Sequence, residues 1–125
     1  MVMPRLVLID DEEAIRRTIA KYFRERGWEV MATDDPDEAE TVLEDEPHGV
    51  VVLDLGLSRF ERNGLDVLRS LRHAHRGLPV AILSAFVSSE VEAEARRLGA
   101  HAVLKKPMGL PDLADVVSGL AGARA

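Results

Sequence analysis

Three uninterrupted apolar runs constrain this chain more than any other feature: Leu6-Val7-Leu8-Ile9, Val50-Val51-Val52-Leu53 and Val80-Ala81-Ile82-Leu83. A strand with one wet face alternates apolar and polar residues. A run that is apolar at every position needs cover on both faces, as a strand inside a parallel sheet has between two layers of helices. Five short segments of this kind, 5–10, 28–33, 49–54, 79–84 and 101–104, each precede an amphipathic stretch. Ile15, Ile19, Tyr22 and Phe23 recur at helical spacing, as do Leu65, Leu68 and Leu71, then Val91, Ala95 and Leu98, then Leu113, Val116, Val117 and Leu120. The expected fold is therefore α/β, a doubly wound five-stranded parallel sheet with helices on both faces and right-handed crossovers.

Local punctuation agrees with that reading. Asp35-Pro36 followed by Glu38 has the form of a helix cap, a first-turn proline and an acidic third residue. Gly27 and Gly99 each follow a helical stretch with Arg in its last turns, the usual chemistry of a helix end. No repeat, low-complexity tract or linker interrupts residues 1–125, so a single domain is expected, and the last residues read as a fraying helix end.

Composition removes several function classes. With 46% hydrophobic and 30% charged residues interleaved along 125 positions, the chain suits a globular fold with its own core. The absence of cysteine excludes disulfide frameworks, thiolate catalysis and Cys-based zinc sites, and makes a reducing cytoplasm the simplest setting. A formal net charge of −6 makes direct nucleic-acid binding a poor expectation, and no apolar run approaches a membrane span.

In a doubly wound sheet the ligand crevice lies at the carboxyl ends of the strands. The residues ending the first, third and fourth segments are Asp10 with Asp11, Asp54, and Ser84, and Lys106-Pro107 follows the fifth. Singly, each has a plain structural explanation: a helix cap, a strand end, a loop hydroxyl, a solvated lysine. Together they put three carboxylates, a hydroxyl and an amine on one rim. Carboxylates without cysteine or paired histidine suit a hard cation, Mg²⁺ in particular. Gathered carboxylates repel one another unless a cation is present, so the set points to a site completed by metal and phosphate, with a carboxylate able to act as nucleophile in phosphoryl transfer. The four histidines, His48, His73, His75 and His101, lie at surface or boundary positions away from this set.

These residues resemble those of the two-component response-regulator receiver domains, and the resemblance covers essentially the whole chain. It implies a flavodoxin-like sheet of order 2-1-3-4-5 and a non-enzymatic switch rather than an enzyme. By resemblance, Asp54 is the phosphoacceptor; Asp11 and Asp54 hold Mg²⁺ directly, Asp10 supports it, and the Gly56 carbonyl is a further ligand. Ser84 matches the hydroxyl that reaches a phosphoryl oxygen, followed by the small Ala85, and Lys106 matches the lysine that pairs with the phosphoryl group. Lys105 is its neighbour and competitor, but the family lysine directly precedes the proline, in a Lys-Pro peptide that is typically cis. The intervals agree: Asp10 to Asp54 is 44, Asp54 to Ser84 is 30 and Ser84 to Lys106 is 22. The implied partners are a histidine kinase or phosphotransfer protein as donor, and a downstream partner or output domain reached through the fourth helix, fifth strand and fifth helix. A homodimer is compatible with that face.

Two departures stand out. After Asp54-Leu55-Gly56-Leu57 the family's proline is replaced by Ser58, and the segment before Gly64 is two residues longer than usual, with Arg59, Phe60 and Arg62 near the rim. Three residues before Lys106, where the family carries an aromatic switch, stands Val103, which is stiff at χ1 and has no ring to swing. The fourth βα loop, with Phe86, is the alternative carrier of motion. Competing functions are a small Mg²⁺-dependent phosphatase, which wants an acid where Gly56 stands; a flavin or cobalamin module, which wants a phosphate loop where Asp10-Asp11-Glu12-Glu13 stands; and a degenerate receiver acting only as an interaction surface.

Overall fold

A computed structural model describes residues 3–57 and 63–122. The longer segment that follows Leu57, with Ser58, Arg59, Phe60 and Arg62, lies outside the described residues. Elements alternate along the chain: β1 (Arg5–Ile9), α1 (Glu13–Arg24), β2 (Glu29–Thr33), α2 (Pro36–Asp45), β3 (Val50–Leu53), α3 (Gly64–Ala74), β4 (Val80–Ser84), α4 (Ser89–Arg97), β5 (Ala102–Lys105) and α5 (Leu110–Gly122). Among the described residues all strand pairs are parallel, in the order β2-β1-β3-β4-β5. The order reverses between β1 and β3, which opens the crevice at their carboxyl ends.

Strand parity explains why the central runs are apolar throughout. Val7, Ile9, Val51, Leu53, Val80 and Ile82 point into one core, covered by Ala39 and Leu43 of α2, Val67, Leu68 and Leu71 of α3, and Ala95 of α4. Leu6, Leu8, Val50, Val52, Ala81 and Leu83 point into the other, covered by Ile19, Ala20 and Phe23 of α1 and Leu113 and Val117 of α5. Each fully buried side chain of this size contributes roughly 1.5–3 kcal/mol relative to exposure. One face thus carries two helices and the other three. Edge-on ring contacts of Phe23 with Tyr22 and Trp28 close the α1 side.

Three helix starts carry a side-chain cap of the expected kind. Asp35 accepts from the Asp37 N–H at 2.9 Å ahead of Pro36; Asn63 and Asp66 form a reciprocal capping box; Ser88 accepts from the Val91 N–H at 3.1 Å. At α1 the capping position is held by Glu12, whose side chain makes no capping bond. Gly27 and Gly99 adopt φ of 87° and 100° and end α1 and α4 as their positions in the sequence suggest.

At the end of the sheet remote from the crevice, Arg5 is 4% exposed. Its Nε donates to the His48 carbonyl at 3.0 Å and its Nη2 to the same carbonyl at 2.8 Å and to the Glu46 carbonyl. The sequence shows Arg5 only as a strand start; its role as a clamp on the α2–β3 connection depends on the fold. Arg5→Met retains the aliphatic stem but leaves these carbonyls without their donor, so a loss of about 1–3 kcal/mol is expected in guanidinium denaturation, and an unchanged midpoint would contradict the clamp.

His101, an exposed residue, turns Nδ1 toward the Val80 N–H, which donates to it at 3.2 Å. Partial desolvation of the ring, and next the Arg72 guanidinium, lower its pKa from 6.5. A depressed folded-state value means that the unfolded chain binds the proton more readily. Stability contributed here is therefore complete above pH 6.5 and declines as pH falls through the lower folded value. His101→Gln should flatten that acid slope in melts taken between pH 7 and pH 5.

Candidate functional site

Asp10 and Asp54 each stand one residue beyond a strand, so their side chains leave the pleat at the crevice while their backbones stay tied to the sheet. The Asp10 N–H donates to the Thr33 carbonyl at 3.1 Å and the Asp54 N–H to the Ile9 carbonyl at 2.9 Å. Ser84 ends β4, 3% exposed, and its carbonyl accepts from the Lys106 N–H at 2.9 Å, tying the end of β5 to the same rim. The Lys106–Pro107 peptide is cis. Lys105 is exposed, whereas the Lys106 side chain is 11% exposed and enters the crevice.

The ammonium of Lys106 lies 2.8 Å from Asp10 Oδ2, 3.2 Å from Asp54 Oδ2 and 3.6 Å from Glu12 Oε1. The other oxygens of the two aspartates face backbone donors: Asp10 Oδ1 accepts from the Glu12 N–H at 2.9 Å, and Asp54 Oδ1 from the Gly56 N–H at 3.0 Å. Arg16 Nη1 donates to the Asp10 carbonyl at 2.7 Å and fixes the β1–α1 turn from outside.

Burial raises the Asp10 pKa; the Lys106 hydrogen bond and the Glu12 N–H oppose this, and the nearby Asp54 charge adds to it. Burial works against the charged form of Lys106 as well, but Asp10 and Asp54 together outweigh it and the net shift is upward. Both shifts belong to one cluster, in which burial disfavours the charged forms while the ammonium and the carboxylates favour each other's.

Among the described residues, carboxylate oxygens of Asp10, Glu12 and Asp54 lie within 4.8 Å of one another. Asp11 stands beside them on the same loop, half-buried, but outside that group of three. The all-oxygen donor set, under-compensated by Lys106, fits a hard divalent cation. Glu12 was not singled out from the sequence, where it read as one acid in a run of four at a helix start. The signal that could have found it is its type: Glu is a poor capping residue, so a glutamate at that position has its carboxylate available for other partners.

Gly64 accounts for a glycine at the close of the segment after Asp54. A Cβ there would lie 2.4 Å from the Leu55 Cα and 2.8 Å from the Asp54 carbonyl oxygen, so α3 begins in direct contact with the backbone of the site. Beside Ser84 lies a hollow of about 260 Å³ lined by Leu55, Leu65, Val91 and Phe86 among others. Phe86 is 89% exposed. Val103, half-buried on β5, packs against the core shared by α2, α3 and α4.

Removing Lys106 leaves two buried carboxylates facing each other. Lys106→Met is expected to cost about 3–5 kcal/mol, and less when Asp54→Asn is also present. A double-mutant cycle measured by chemical denaturation should give a coupling of about 0.5–3 kcal/mol; additive losses would show that Lys106 does not neutralise Asp54.

Comparison with known proteins agrees with this arrangement. Residues 6–118 match the family described as the response regulator receiver domain. The transcriptional regulatory protein PdtaR of Mycobacterium tuberculosis is 33% identical over 117 residues, covering 92% of this chain and 56% of that protein. A putative NtrX-like response regulator of Rickettsia conorii is 30% identical over 102 residues, covering 82% of this chain and 22% of that one. The chain thus spans about a fifth to a half of the length of these relatives. Among solved structures, NtrX of Brucella abortus superposes with a TM-score of 0.90 at 27% identity, covering 98% of this chain and 28% of that one. The receiver domain of the Francisella response regulator 1452 superposes with a TM-score of 0.88 at 28% identity, covering 98% and 99%. Family match, strand order and the convergence of Asp10, Asp54, Ser84 and Lys106 on one rim agree, and the chain belongs to the response-regulator receiver domains.

Proposed function

We propose that this chain is a phosphoryl-accepting switch in which Asp54 takes a phosphoryl group from a phosphohistidine on a kinase or phosphotransfer partner. The observation that carries the reading is the Asp54 carboxylate, oriented by the Gly56 N–H on one oxygen and by Lys106 on the other. Transfer forms a bond between an Asp54 carboxylate oxygen and phosphorus and breaks the P–N bond of the donor, whose electron pair returns to the imidazole. Lys106 pairs with the incoming negative charge, and Ser84 offers its hydroxyl to a phosphoryl oxygen. Ala85, with no bulk beyond Cβ, leaves room for the group. Asp10, Asp11, Asp54 and the Gly56 carbonyl are the residues that would hold Mg²⁺. Bound there, Mg²⁺ supplies charge neutralisation for phosphoryl transfer.

The product is a signalling state rather than a released metabolite, and its output passes to a partner or a further domain through the face of α4, β5 and α5. With Val103 at the usual switch position, the β4–α4 connection carrying Phe86 is the mobile link between Ser84 and that face. The unit works as one receiver in a cytoplasmic setting. No helix among the described residues is long and apolar enough to cross a membrane.

Incubation with Mg²⁺ and a small-molecule phosphodonor, followed by intact mass, tests the proposal. One added phosphoryl group is expected on the wild type, none on Asp54→Asn, and none when the cation is chelated. A wild type that gains no mass would instead make the chain an interaction module that keeps the receiver architecture without its chemistry.

A further inference from the structure

We infer that Glu12 is a positioning residue that competes with the phosphoryl group for the Lys106 ammonium and so limits how tightly the loaded state is held. The inference rests on the phosphoacceptor reading of Asp54 and concerns the regulation of that same site.

Three observations lead to it. Glu12 occupies the capping position of α1, with φ −89° and ψ 110°, yet its side chain makes no capping bond. Its backbone does the structural work instead: the N–H donates to Asp10 Oδ1 at 2.9 Å and the carbonyl accepts from the Arg16 N–H at 3.0 Å. The carboxylate extends to 3.6 Å from Lys106 Nζ with 58% of the side chain exposed, and both residues line the groove between α1 and the start of α5.

The three acids around Lys106 are not equivalent. Asp10 and Asp54 are buried and held by backbone donors, so their positions are set by the fold. Glu12 is attached to a rigid helix start but has a long side chain at the solvent boundary. When Asp54 carries a phosphoryl group, its local charge rises from −1 to about −2, and Lys106 must turn from Asp10 toward the new oxygens. Glu12 remains as a rival anion on the solvent side. It also adds like charge to the site that receives the phosphoryl group, and both effects weaken the loaded state.

Titration of the protein with beryllium fluoride, a phosphoryl analogue, at saturating Mg²⁺ tests this by calorimetry. Glu12→Gln should bind the analogue about two- to five-fold more tightly than the wild type, the range of an exposed ion pair, and should lose its phosphoryl group more slowly in intact-mass time courses. The gap should narrow at high salt. Glu13→Gln removes the same charge one residue away, where the carboxylate pairs with Arg17 at 2.8 Å, and should leave the affinity at the wild-type value.

Equal tightening by both variants would reduce the effect to overall charge and overturn the proposal. Weaker analogue binding by Glu12→Gln, accompanied by a higher Mg²⁺ requirement, would overturn it too, by assigning Glu12 to the cation. A wild type that binds the analogue no differently from Glu12→Gln refutes the role of Glu12 alone, whereas a wild type that binds none removes the phosphoacceptor reading with it.

Discussion

One ammonium ion between buried carboxylates governs the organisation of this rim. Two unpaired charges of like sign inside a protein are costly, and Asp10 and Asp54 are both buried at this rim. Lys106 makes the pair tolerable, and it can do so only because β5 ends beside β4 with its backbone bonded to Ser84. Three carboxylates around one ammonium leave the compensation incomplete. A site in that condition takes up further positive charge readily and responds strongly to a change in negative charge. That is the electrostatic requirement for a switch driven by a phosphoryl group and a divalent cation.

The sheet supplies the rigidity that this balance needs. Strand parity divides β1, β3 and β4 between two separate cores, so a displacement of any of these strands disturbs packing on both faces. The crevice residues sit at or one position past the ends of those strands. They stand at the rim yet are held like core residues, Asp10 and Asp54 each by a backbone donor. Contact of Gly64 with the Leu55 backbone extends the same logic to α3, whose first turn is packed against the chain that carries Asp54. On the opposite side, Arg16 holds the Asp10 carbonyl and fixes the turn leading into α1.

Much of this was legible in the sequence because it depends on periodicity and order. Continuous apolar runs require two covered faces, and a polar residue directly after such a run must emerge at the rim; Asp10, Asp54 and Ser84 follow from that rule with the βα order, whereas Lys106 is told from Lys105 by the resemblance to the family's Lys-Pro pair. What periodicity does not encode is which side chain turns where. Asp10, Asp11, Glu12 and Glu13 are four consecutive acids with the same composition-level meaning. Glu13 meets Arg17 by ordinary i,i+4 spacing, but only the backbone geometry at the start of α1 brings Glu12 toward Lys106. Arg5 is a similar case, since a charged residue at a strand start reads as solvent-facing until the α2–β3 connection folds over it.

The connection from site to output is where local chemistry gives least guidance, and the two relevant residues differ in kind. Val103 is half-buried and packs against the core shared by α2, α3 and α4, and its β-branched side chain has little rotameric freedom to contribute. Phe86 is almost wholly exposed, two residues past Ser84, on the rim of a hollow lined by Leu55, Leu65 and Val91. An aromatic ring left in water beside an apolar hollow can bury a large area in return for a modest change in backbone torsions. Under the proposed function, drawing the Ser84 hydroxyl toward a phosphoryl group would move the segment that carries that ring. Coupling through the β4–α4 connection would need no aromatic residue on β5, which is consistent with Val103 at that position under the proposed switch.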